Sequence, residues 1–310
     1  MKIGYFADGI WAHNAIERIS SNSDFEIQFI TPRYDTQDPV LKKWSEKLNV
    51  DFLILENIND KNSISLINEY SPDILVSMSY NQIFKNEIID LPPLGVINCH
   101  AGALPFYRGR NILNWALINN ENEFGVTAHY IDTGIDTGDI ILQKKYQITD
   151  RDDYGTLLDR ASLHCADILY DALMIIHSGK VDRIAQESID KVGSYCPMRK
   201  EGDEWINFQL SSRDVFNFIR GITFPGPLAV SKLNDEKIFI RASKSLDNES
   251  DLIGTSGEIV RKNHHSITVK TGSGLVEFLY IDLLSSNIIG AKNLISDEHF
   301  EVGMKFTSEL

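Results

Sequence analysis

Cysteine is scarce in this 310-residue chain, with three residues at positions 99, 165 and 196. An odd number without a close C-x-x-C pair argues against a disulfide framework and against a zinc knuckle, and three reduced thiols fit the cytoplasm. No apolar run approaches the roughly 18 to 20 residues that span a bilayer. The start, "MKIGYFADGIW", has no apolar signal-peptide core followed by a small-residue cleavage site. The expected location is therefore cytoplasmic, with no membrane partner. Also missing is G-x-G-x-x-G: the first β-rich run leads into "FADGIW", so a dinucleotide is not expected. Positive charge is in deficit, with 30 Lys and Arg against 44 Asp and Glu and a net charge of −14. Residues 200–310 carry 12 basic and 16 acidic residues, and nowhere do more than two basic residues adjoin. A polyanionic partner needs a local basic patch, so the sequence weighs against nucleic acid.

What is present is ample apolar material, 43% of the chain, enough for a large core and two domains of unequal size. Short β-rich runs at 2–6, 25–30, 51–55, 73–79 and 95–100 alternate with helical patterns at 11–20, 39–48 and 60–70. That alternation predicts an α/β domain with a wound, mostly parallel sheet. "GVTAHYID" (125–132) and "DIILQKKYQI" (139–148) read as further strands, and 154–178 as one long amphipathic helix. From about 180 to 200 apolar residues thin out and a proline appears, so this stretch is the expected linker, with domains at 1–200 and 201–310. Beyond it, a helix over 212–222 precedes alternating runs at "LAVSKL", "EKIFIRAS", "GEIVRK", "SITVKT" and "GLVEFLYIDLL". This pattern predicts a small antiparallel barrel of the OB type.

In wound sheets ligands bind beyond the carboxyl ends of the strands. There the run "INCHAGALPFYRGRNILNWAL" (97–117) concentrates polar chemistry behind a short apolar strand. On an extended segment Asn98 and His100 share a face, because side chains alternate with period two. In "TGIDTG" (133–138), Gly134 and Gly138 give a permissive backbone around Asp136. Each residue alone also has a plain structural reading: a hydrogen-bonded histidine, a turn-capping asparagine, an Asx-turn aspartate. His100 and His129 lack the third ligand that a zinc site requires, so no metal is expected.

The runs "NCHAGALPFYRGR…LNWAL" and "ENEFGVTAHYIDTGIDTGDIILQ" together resemble the folate-dependent formyltransferases that use 10-formyltetrahydrofolate. Their Asn-x-His, LP-x-Y-R-G, G-V-T-x-H and D-T-G-D segments stand here in the same order, and the closing "VGMKF" is similar to the family's two-domain members. The resemblance implies a Rossmann-like formyltransferase fold with a smaller OB-like second domain. It also implies catalytic roles for Asn98, His100 and Asp136. Those residue types suit the reaction. An amine attacking a formyl carbon creates an oxyanion that needs donors, which Asn98 and His100 supply. Protons must also leave one nitrogen and reach another, a task for His100 coupled to Asp136, and that carboxylate favours the charged imidazole. By the same resemblance the folate pocket involves Tyr80, Ile83, Leu104, Gly134, Ile135, Thr137 and Asp139.

Features of the chain discriminate among acceptors. Methionyl-tRNA formyltransferases typically carry a longer loop after the second strand, rich in Gly, Lys and Arg, and a small residue at the position of Arg110. This chain reads "TPRYDTQDPVLKK" and "RGRNILNW" instead. The latter form looks more like the enzymes that formylate a nucleotide-linked amino sugar, carried on UDP or dTDP, for surface polysaccharide or glycan synthesis. Arg108 or Arg110 would then reach the diphosphate, with Tyr107 and Asn114 as further substrate contacts and Trp115 packing in the core. The resemblance also suggests a homodimer. Methionyl-tRNA formylation and hydrolysis of the formylated folate remain as alternatives.

Overall fold

The computed structural model describes residues 1–246, 252–282, 295 and 300–309. Its first half runs β1 (Lys2–Ala7), α1 (Gly9–Ser20), β2 (Glu26–Pro32), α2 (Pro39–Leu48), β3 (Asp51–Phe52), α3 (Lys61–Glu69), β4 (Ile74–Met78), α4 (Asn86–Ile89) and β5 (Val96–His100). Then come β6 (Arg108–Gly109), α5 (Ile112–Ile118), β7 (Glu123–Tyr130), β8 (Ile140–Gln147), α6 (Tyr154–His177) and β9 (Tyr195–Cys196). The remainder is α7 (Ser212–Ile222), β10 (Ala229–Leu233), β11 (Glu236–Ser245), β12 (Ile259–Lys262), β13 (Ile267–Lys270) and β14 (Leu275–Asp282). Of the strand expected at 274–284, Leu283 and Leu284 lie outside the described residues.

The chain divides into two compact units. The first comprises 1–109, 124–146 and 159–196, and the second 110–123, 147–158 and 197–310. The first is built on a sheet in the order β3-β2-β1-β4-β5-β7-β8. The pairs β2–β3, β1–β2, β1–β4 and β4–β5 are parallel, and β5–β7 is antiparallel. Because the connections run outward in opposite directions from β1 and β4, the strand order reverses between these two, where such sheets open a crevice. Phe6, Phe29, Leu75, Phe84, Ile88 and Val96 form a core cluster against it. Local chemistry sets the helix starts. The Asp38 carboxylate accepts from the Val40 and Leu41 amides ahead of Pro39, and Asn49 ends α2 in the left-handed region.

Two local expectations change. β3 covers only 51–52 of the expected 51–55, because after Phe52 the chain leaves the sheet edge and Leu55 turns into the core. The expected linker is not a free crossing over its whole length. Ile184 bridges Ile140 in antiparallel fashion, and β9 pairs in parallel with β6, so 184–196 lies along the first unit. Backbone hydrogen bonds anchor it, and these need no apolar side chains.

In the second unit the antiparallel sheet runs β10-β11-β14-β13-β12. Near the C-terminus, Thr307 bridges Lys232 on β10 while Lys305 bridges Glu258 beside β12. One short segment thus joins both sheet edges and closes the barrel, which removes exposed edges. Val215, Phe216, Ile219 and Ile222 of α7 pack on Ile240, Val269, Val276 and Phe278 of the sheet.

Candidate active site

β5 carries the polar run. Its register pairs Asn98 with Ser77 on β4 and with His129 on β7. Directly opposed side chains on one face come close. Accordingly Asn98 Nδ2 lies 3.3 Å from His129 Nε2. His129, only 2% exposed, donates from Nδ1 to the Tyr130 carbonyl oxygen at 2.8 Å. In the neutral ring Nε2 is then the bare nitrogen, and it accepts from the Asn98 amide. The second N–H of that amide remains for another acceptor.

Two residues on, His100 Nε2 donates to the Tyr107 carbonyl oxygen at 2.6 Å. The neutral imidazole therefore keeps its lone pair on Nδ1, which faces Asp136 Oδ2 at 3.7 Å. Asp136 Oδ1 lies 3.6 Å from His129 Nε2, and its Oδ2 accepts from the Gly109 amide at 2.9 Å. Burial alone would raise the Asp136 pKa. The charge of His100 beside it, the His129 contact and the Gly109 amide reverse that and hold it well below the usual carboxylate range. The three polar side chains singled out from the sequence thus converge, and His129 joins them.

The loops around this cluster are fixed from within. Thr127 Oγ1 donates to the Gly102 carbonyl at 2.6 Å and accepts from Gln143 Nε2 at 2.8 Å, which anchors the turn after β5. Asp132 Oδ1 accepts from the Gly134 amide at 3.0 Å and from Thr137 Oγ1 at 2.5 Å. Asp136 and Tyr107 both adopt left-handed backbone, with φ of 54° and 56°. Aspartate tolerates this region better than most side chains. Gly102 is required for space: a Cβ there would sit 2.6 Å from the Tyr107 oxygen and 2.7 Å from His100 Nε2. Gly102→Ala is expected to push these partners apart and lower kcat at least about tenfold, with an unchanged circular dichroism spectrum. Steady-state kinetics at the wild-type value would show that the His100–Tyr107 contact is dispensable.

The other expected residues fall into distinct surroundings. Ile83 and Ile135 are exposed apolar side chains, 62% and 48% accessible, as a ligand wall requires. Tyr80 packs edge-on to Phe6 at 5.5 Å, and burial pushes its hydroxyl pKa up. Leu104 is buried in the core, with its amide on Thr127 Oγ1 at 3.4 Å and its carbonyl accepting from Gln143 Nε2 at 2.8 Å. The Asp139 carbonyl accepts from the Tyr130 amide. Arg108 Nε donates to Gln186 Oε1 at 3.3 Å, and the Tyr107 amide donates to Ser194 Oγ at 2.8 Å. In the second unit Arg110 is exposed, with Nη1 on the Met198 sulfur at 3.8 Å. Asn114 is buried and donates to the Gly221 carbonyl at 2.7 Å, so its side chain holds α5 to α7 and is not presented to a substrate. Trp115 Nε1 donates to the Pro197 carbonyl at 3.0 Å.

Sequence reading left three contributors out: His129 as the partner of Asn98, Thr127 as a loop anchor, and Gln186. The first two stand in "GVTAH", one strand over, and only the β5–β7 register reveals their contacts. Among the described residues no group of three or more His, Cys, Asp and Glu converges as a metal site, and no helix is long and apolar enough to cross a membrane.

Residues 13–173 match the formyl transferase family and residues 199–298 the formyl transferase C-terminal domain. The chain belongs to the formyl transferase family and is an N-formyltransferase. It is 34% identical to a methionyl-tRNA formyltransferase of Acetivibrio thermocellus over 81% of this chain and 79% of that protein. To one of Thermodesulfovibrio yellowstonii it is 33% identical, over 86% and 84%. In fold it is similar to a sugar 3N-formyl transferase solved with dTDP and 5-N-formyl-THF, with a TM-score of 0.69, 24% identity and coverage of 90% and 97%. An N-formyltransferase from Helicobacter canadensis, in complex with folinic acid and dTDP-3-aminofucose, gives a TM-score of 0.68 at 21% identity, over 90% and 99%.

Proposed function

We propose that the protein transfers the formyl group of 10-formyltetrahydrofolate to the amino group of a sugar linked to UDP or dTDP. The observation that carries the acceptor is the connection between β2 and α2, residues 33–38. It is short and holds Asp35 and Asp38. Its one cation, Arg33, donates from Nε to the Ser79 carbonyl at 2.8 Å and places Nη1 3.5 Å from Asp8. Nothing in this connection offers free positive charge to a polynucleotide, and the net charge of −14 opposes one at long range. A methionyl-tRNA acceptor is the second reading, favoured by the relatives 33–34% identical to this chain.

In this reading Asn98 and His100 divide the labour. The Asn98 N–H not facing His129 donates to the developing oxyanion. The Nε2 proton of His100 is held by the Tyr107 carbonyl, so the imidazole works through Nδ1. That atom takes the proton released by the attacking amine, and ionised Asp136 stabilises the resulting imidazolium. The same proton then returns to the departing folate nitrogen. Exposed Ile83 and Ile135 suit the apolar faces of a folate, and the backbone of 134–139 suits its hydrogen-bonding edge. Arg108 or Arg110 pairs with the acceptor's diphosphate, with Tyr107 as a further acceptor contact.

Tetrahydrofolate release, followed separately with UDP- and dTDP-linked amino sugars and with methionyl-tRNA, tests the proposal. Release with a nucleotide sugar alone is expected; release with tRNA alone overturns the acceptor assignment. Arg110→Ala is expected to raise the KM for the nucleotide sugar about tenfold while folate affinity stays constant. An unchanged KM removes Arg110 from the diphosphate contact.

A further inference from the structure

The geometry points to Gln186 as a positioning residue, one that fixes Asp136 against His100 through the backbone beneath the carboxylate. This rests on the roles proposed above for His100 and Asp136. Gln186 opens a short 3-10 turn (Gln186–Ser188) on the segment after α6, far from both motifs in sequence. Its side chain is nevertheless buried at 4% exposure. Nε2 donates to the carbonyl of Asp136 at 2.8 Å and to that of Gly138 at 2.8 Å. Oε1 accepts from Arg108 Nε at 3.3 Å. Both N–H groups and the oxygen are thus engaged, and the amide has one orientation: a flip would set its oxygen against two carbonyl oxygens and its N–H groups against a guanidinium.

The contact falls where it matters for geometry. Asp136 stands in left-handed backbone with φ of 54°, a conformation that persists when its surroundings over-determine it. Two groups do so: the Gly109 amide holds the carboxylate, and Gln186 holds the carbonyl of the same residue. Gly109 and Arg108 both belong to β6, which β9 pins from the strap that carries Gln186. One buried amide therefore ties the loop bearing Asp136 to the loop whose Tyr107 carbonyl orients His100. Losing it leaves two carbonyls without a donor and frees the backbone of Asp136 to rotate.

The test uses Gln186→Ala, Gln186→Glu and Gln186→Asn in the full chain. Gln186→Glu keeps the size but turns the two donor positions into acceptors. Both Ala and Glu variants are expected to lower kcat at least about tenfold with KM for folate and acceptor within about twofold. The second readout is the NMR spectrum of the His100 ring nitrogens at fixed pH, which needs no substrate and so stays informative if the enzyme formylates neither acceptor. The ring faces Asp136 on the loop after β7 and, through it, His129 on β7. With Asp136 displaced, the carboxylate that stands 3.7 Å from Nδ1 no longer faces the ring, and the His100 ring resonances move in both variants. A thermal midpoint that falls while kcat and the His100 ring resonances keep their wild-type values would overturn the proposal, leaving Gln186 as packing alone. Recovery of both readouts in Gln186→Asn is not expected, because the shorter amide cannot span both carbonyls; full recovery there would also contradict it.

Discussion

Replacing His100 by alanine is expected to lower kcat on the order of a hundredfold or more, and Asn98→Ala to do the same. The two losses have different origins. Without His100 no group stands where Nδ1 now faces Asp136 at 3.7 Å, so the attacking amine gives up its proton to water. Without Asn98 the oxyanion loses a donor whose direction is set by the His129 contact at 3.3 Å. Neither substitution removes core packing, since both side chains are only partly buried. Single-turnover measurements with saturating donor and acceptor separate the chemical step from binding. Wild-type rates in both variants would dismiss the mechanism.

Asp136→Asn keeps the shape of the side chain and deletes its charge, and kcat is expected to fall on the order of a hundredfold. The pH dependence carries a sign. Folding stability follows the same carboxyl group. Its pKa is depressed in the folded chain, so its contribution is complete above the ordinary carboxylate range near about pH 4 and disappears as pH falls toward the depressed value. The urea midpoint of Asp136→Asn should thus respond less to acidification than that of the wild type. A urea midpoint that responds to acidification as strongly in Asp136→Asn as in the wild type would mean that the folded chain does not hold this group as a carboxylate.

Strands and helices were legible where local chemistry is strong. β1, β2, β4 and β5 are runs of branched and aromatic residues whose observed limits lie close to the expected ones, and α2 begins at its Asp-Pro pair. The alternation of Asn98 and His100 on one face followed from strand geometry alone. What stayed hidden depends on distant parts of the chain. The pairing of β6 with β9 joins residues 108 and 195 through backbone groups that every sequence possesses. Gln186 stood in a stretch poor in apolar residues, where nothing marks a buried amide. Asn114, which the family resemblance suggested for the substrate, packs inward because the α5 turn that carries it faces Gly221 of α7.

The acceptor is tested most directly by a competition. The protein is incubated with 10-formyltetrahydrofolate, methionyl-tRNA and a dTDP- or UDP-linked amino sugar in one vessel, and the products are read by mass. A gain of one formyl group on the nucleotide sugar, with methionyl-tRNA unchanged, is the predicted result. Formylated methionyl-tRNA with the sugar untouched would contradict it.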